Sequence, residues 1–124
     1  MMYSETNFFT DFVEFLKVEK VLNTVEINDA LSFVDGIEGV LQERTFILGY
    51  QGLAYSINSK LSLDDLKNFV SKHVTTLAQD ADARYFFAQS LVDTSSLSEA
   101  ERMTLIYLMP ESYKPFLLKR FIES

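Results

Sequence analysis

The sequence predicts an all-α chain folded as a bundle of five or six helices. Three observations lead there. Apolar residues recur at helical spacing along most of the 124 residues. Four glycines and two prolines are too few for a many-turned β fold. Helix-capping residues stand in front of several apolar stretches, and Ser98-Glu99-Ala100-Glu101 has the full capping-box pattern.

The first helix is expected from Thr6 to Glu19. Phe8, Phe9, Phe12, Val13, Phe15 and Leu16 share one side, while Asp11, Glu14 and Lys17 take the other. Thr6 or Ser4 can cap it, and Lys20 to Thr24 form the break. A second helix begins after Thr24 or Asn28, with Ile27, Ala30, Leu31, Val34, Ile37 and Leu41 at i, i+3, i+4, i+7 spacing. Gly36 and Gly39 weaken it by about 1 kcal/mol each against alanine, so the pattern bends or divides there.

Residues 44–57 admit two readings. Thr45, Phe46, Ile47 and Leu48 favour a strand, and Gly49 with Gly52 suits a turn, which together would make a β-hairpin. Helix is preferred, because nothing else in the chain supplies a partner strand and an isolated hairpin is marginal. On that reading the two glycines serve close packing.

Ser62-Leu63-Asp64-Asp65 resembles a capping box with aspartate in place of glutamate. It opens a helix that carries Leu63, Leu66, Phe69, Val70, Val74 and Leu77 on one side. Asp80 and Asp82 stand at the positive start of a helix over Ala81 to Val92, apolar over much of its circumference and so expected near the centre. The capping box at Ser98 starts a helix that ends at Pro110. A last helix covers Ser112 to Ile122, with Pro115 in its first turn and Lys119 and Arg120 at its negative end. No linker or repeat divides the chain, so residues 1–124 read as one domain.

Composition narrows the function. Six tyrosines and eleven phenylalanines accompany one histidine, no cysteine and no tryptophan. Large buried areas are plentiful, while the usual groups for proton transfer, metal binding and nucleophilic attack are scarce. Cysteine chemistry, disulfides and thiolate metal sites are excluded, and the usage suits a reducing cytoplasm. Met1 to Thr10 lacks a basic n-region, so no signal peptide is expected, and no apolar run is long enough to span a membrane. The net charge of −7 opposes direct binding to nucleic acid or anionic lipid.

Motifs for specific chemistry are missing. His73 lies on the apolar side of its helix, and i±3 and i±4 hold Phe69, Val70, Thr76 and Leu77, with no orienting carboxylate. A structural, partly buried histidine is the expectation. Asp35-Gly36-Ile37-Glu38-Gly39 lacks the acidic positions of a calcium loop, and Asp80-Ala81-Asp82 is better explained by capping than by magnesium. No metal, cofactor or catalytic residue is nominated. Carboxylate-only catalysis stays as a distant alternative.

One charge asymmetry stands out. Between Val21 and Glu43 there are five acids, Glu26, Asp29, Asp35, Glu38 and Glu43, and no base. On a helix these form an exposed negative strip, suited to steering a basic partner, with Tyr50 and Tyr55 as candidate anchors nearby. The expectation is a cytoplasmic, non-catalytic protein-binding domain of the inhibitor, immunity-protein or antitoxin kind. Its partner would be a protein with a basic surface, such as a nuclease toxin or another nucleic-acid-binding protein. The alternative is a structural or regulatory subunit of an oligomer, for example a homodimer joined through an aromatic helix face.

Overall fold

Eight helices and no strand make up the described part of the chain, residues 5–32, 42–78, 82–93 and 96–123 of a computed structural model. In order they are α1 (Glu5–Val18), α2 (Thr24–Leu31), α3 (Gln42–Lys60), α4 (Leu63–Lys72), α5 (Val74–Leu77), α6 (Asp82–Val92), α7 (Glu99–Leu108) and α8 (Lys114–Glu123). The all-α class agrees with the sequence, but five or six helices is a low count. The 44–57 segment is helix and not hairpin, lying wholly within α3. Among the described residues no helix is long and apolar enough to cross a membrane.

The most extensive helix pair is α3 with α6. Tyr50, Leu53, Ala54 and Ile57 are buried at i, i+3, i+4, i+7 on α3, and Phe87, Ala88 and Leu91 continue the same spacing on α6 from Arg84. This burial overrides the β preference of Thr45 to Leu48, since both helices gain a partner along their length. Phe12 of α1 fits between them, with ring centroids 4.7 Å from Phe87 and 5.3 Å from Tyr50, both edge-on. Gly49 serves the close packing expected of it: a Cβ there would meet the Phe9 ring at 2.9 Å. Buried residues from all eight helices join this core.

Two helix ends depart from the periodicity. At the first, α2 stops at Leu31, where the Ser32 hydroxyl and N–H both turn back to the Asp29 carbonyl. Its expected continuation through Val34, Ile37 and Leu41 falls outside the described residues. At the second, the predicted helix over Leu63 to Leu77 breaks at His73, whose φ of −117° and ψ of 27° leave the helical region. The single turn α5 then ends with free carbonyls, as every helix end does. Arg84 Nη1 donates to Thr76 O at 2.7 Å and Tyr113 Oη donates to Leu77 O at 2.7 Å.

Capping follows the sequence with two amendments. Ser98 and Glu101 form the expected reciprocal box on α7. Ser62 accepts from the Asp65 N–H at 3.2 Å, but that cap is one-sided. Aspartate is one methylene shorter than the glutamate that completes such a box. Thr6 lies inside α1 and so does not cap it, while Ser4, Asp80 and Ala81 fall outside the described residues.

At the other end of α1, Val21 N–H bonds to Leu16 O and Lys20 N–H to Lys17 O, the pair of bonds that defines a Schellman stop. Lys20 takes the position normally given to glycine, with φ of +59°. Lys20→Gly is therefore expected to raise the stability by about 0.5–1 kcal/mol, the left-handed strain removed exceeding the added freedom of the unfolded chain. Urea denaturation checks this. A destabilised variant would mean that the Lys20 side chain contributes more than its backbone costs.

Candidate functional site

Of the five acids of the expected strip, Glu26, Asp29 and Glu43 fall among the described residues. Glu26 is committed to the fold. Its carboxylate accepts from the Asn23 N–H at 2.9 Å while Asn23 Oδ1 accepts from the Glu26 N–H at 2.8 Å, a full capping box on α2. The same oxygen of Glu26 meets Lys60 Nζ at 2.9 Å, tying the start of α2 to the end of α3. The bond from the Asn23 N–H, followed by Lys60, holds this carboxyl below the usual carboxylate range. Asp29 is exposed. Glu43 belongs to the first turn of α3, and Asp35 and Glu38 lie outside the described residues.

Of the two nominated tyrosines, Tyr50 cannot serve as a surface anchor. It is fully buried against Phe9 and Phe12, because it continues the apolar stripe of α3. Tyr55 is 64% exposed. Val25, 67% exposed, was not nominated, yet it precedes Asp29 by four residues and so shares its side of α2.

His73 has a carboxylate neighbour that no helical spacing could reveal. Glu19, just past the end of α1, brings Oε2 to 3.7 Å from both His73 Nε2 and Lys72 Nζ. The imidazole is 12% exposed and packs edge-to-face with Phe15 and at a tilt against Phe69, with centroids 4.8 and 5.4 Å away. These are the contacts of a packing residue. Burial lowers its pKa from the ordinary imidazole value, Glu19 pulls it back up and Lys72 lowers it further. Among the described residues no three histidine, aspartate or glutamate side chains converge as a metal-binding group.

Two features escaped the sequence. The first is Arg84, buried in the core: Nη2 donates to Phe8 O at 2.8 Å, Nη1 to Thr76 O, and Nε lies 3.4 Å from Tyr50 Oη. Its guanidinium also lies 4.9 Å from the centre of the Phe12 ring. Position 84 lies three, four and seven residues before buried Phe87, Ala88 and Leu91, and that spacing was the available signal.

The second is a cleft of about 610 Å³ lined by α6, α7, α8 and Asp93. Val92 and Leu117 form its apolar floor, and Tyr85 and Phe116 one wall, their centroids 6.2 Å apart. Arg120 crosses to Asp93, its Nε and Nη2 donating to the same Oδ2 at 3.0 and 2.7 Å. That bond raises the Arg120 pKa, and burial raises that of Tyr85. In the sequence Arg120 and Lys119 read only as cations at a helix end, and Asp93 as part of a connection.

Compared with family models, with curated proteins and with solved structures, the chain matches none.

His73 sets a pH dependence whose sign follows from the depressed pKa. As the pH falls, the unfolded chain takes up its proton first, at about pH 6.5, so this contribution to stability is retained above that value and lost as the pH drops through the folded pKa. Urea midpoints should therefore decline between about pH 7 and pH 5, and His73→Gln should flatten the decline. A rise over that range, or an unchanged slope in the variant, contradicts the assignment.

Proposed function

We propose that this chain is a small, non-catalytic protein-binding domain that covers a basic surface on another protein, as inhibitors, immunity proteins and antitoxins do. The target class that fits is a nuclease toxin or another nucleic-acid-binding protein, whose functional surface is positive. The observation that carries the reading is the outer side of α2, where exposed Val25 and exposed Asp29 lie one turn apart. Apolar area beside negative charge suits a contact in which the charge speeds encounter and the apolar group contributes to affinity.

Two further facts support it. The Glu26–Lys60 ion pair and the capping box fix α2 in place, so its outer side is presented without a large ordering cost. The net charge of −7 adds a long-range attraction for a basic partner. A cytoplasmic location belongs to the same reading and is supported by the absence of cysteine.

A second reading, a subunit of a homo- or hetero-oligomer, is favoured by one observation. Helix α8 exposes Phe116 and Ile122, and α7 exposes Tyr107, at 63%, 76% and 62%. Sedimentation equilibrium separates the two: a stable dimer lost on Ile122→Asp supports the subunit.

For the leading reading, the partner is captured from the native host and association rates are measured against ionic strength. Asp29→Lys is expected to slow association about threefold to tenfold and to weaken the salt dependence, with the urea midpoint unchanged. Val25→Ala should act mainly on dissociation. Association rates indifferent to Asp29→Lys would remove α2 as the binding surface.

A further inference from the structure

The cleft between α6 and α8 has a chemistry opposite to that of the chain as a whole. Three cations, Arg102, Lys119 and Arg120, line it against two carboxylates, Asp93 and Glu123, in a protein with a net charge of −7. Lys119 enters none of the ion pairs among the described residues. Arg120 is held by one oxygen of Asp93 and, with the Gln89 amide in its hydrogen-bonding orientation, by the Gln89 carbonyl oxygen at 3.2 Å, with about half of its side chain still exposed. Asp93 thus shows in place which group this guanidinium takes: a carboxylate. Beside it, Phe116 stands 63% exposed over a floor of buried Val92 and Leu117. The volume, about 610 Å³, has room for a few side chains.

We propose that this cleft receives a short acidic segment of a partner protein, with a carboxylate at Lys119 and Arg120 and an apolar side chain against Phe116. Three polyanions could supply negative charge, and range separates them. Charges beyond a Debye length, about 8 Å at physiological salt, are screened, so a short segment feels chiefly the local cations. Nucleic acid or an anionic membrane extends much further, across a surface whose net charge repels it. The apolar floor and aromatic wall also call for a ligand that combines a carboxylate with an apolar side chain, which an acidic peptide provides. This site is independent of the α2 surface, and its variants leave that surface unaltered.

The probe is a capped hexapeptide containing three glutamates, a phenylalanine and a leucine, titrated into the full ¹⁵N-labelled chain. A matched peptide with glutamine for each glutamate and a single-stranded oligothymidylate serve as comparisons. Amide shifts should cluster on residues 85–93 and 114–123, with the glutamine peptide binding at least about tenfold more weakly. Lys119→Glu and Phe116→Ala, both at exposed positions, should each weaken the acidic peptide about fivefold to tenfold while the urea midpoint stays within error. The proposal is overturned if the acidic peptide leaves the cleft amides unmoved at millimolar concentration. Equal binding of the glutamine peptide, stronger binding of the oligonucleotide there, or indifference to both substitutions would overturn it as well.

Discussion

Arg84 carries a guanidinium into the packed interior, and the surrounding backbone is arranged to receive it. Burying such a group without partners is costly, so its N–H groups require acceptors at fixed places. Phe8 of α1 offers one carbonyl and Thr76 of α5 another, with the Tyr50 hydroxyl of α3 close to Nε. The Thr76 carbonyl is available because α5 ends after one turn. One side chain of α6 thereby fixes how α1, α3 and α5 meet. Stacked on the same guanidinium, Phe12 links this polar knot to the aromatic core of Phe87 and Tyr50.

How much of this was legible depended on whether the controlling contact was local. The limits of α1, α6, α7 and α8 followed to within a few residues from apolar spacing and from caps such as Ser98 with Glu101. The break at His73 did not, because the apolar stripe runs on from Val70 through Val74 to Leu77, and the carbonyls at the end of the short α5 that follows are taken by Arg84 and Tyr113 from later in the chain. The structural part of Glu26 is local: Asn23-Thr24-Val25-Glu26 is itself a capping-box pattern. Residue type alone suggests an anchor at Tyr50, whereas its spacing from Leu53, Ala54 and Ile57 puts it in the core.

The surface divides its charge more finely than the net value suggests. Glu26 is neutralised by Lys60 and Glu19 lies beside Lys72 and His73, so part of the acid content holds helices to one another. Asp29 remains outward on α2, whereas Lys119 and the Asp93-paired Arg120 collect at the cleft beside α8. Paired charges at the surface contribute little to stability, but unpaired ones set the sign of the field that an approaching partner meets. Aromatics divide likewise. Phe12, Tyr50 and Phe87 build the core, while Tyr55 and Phe116 stay exposed.

The most direct test of this architecture compares urea unfolding and amide hydrogen exchange of the native chain with Arg84→Met and Arg84→Lys. Methionine matches much of the apolar volume and leaves the Phe8 and Thr76 carbonyls without their donor, whereas lysine offers one ammonium where the carbonyls need two separated donors. The expected result is a loss of about 3 kcal/mol or more for methionine and a partial loss for lysine, with faster exchange concentrated in α1 and α5. An Arg84→Met protein as stable as the native chain, with unchanged protection in those helices, would show that hydrophobic packing alone holds them and that Arg84 is a passenger in the core.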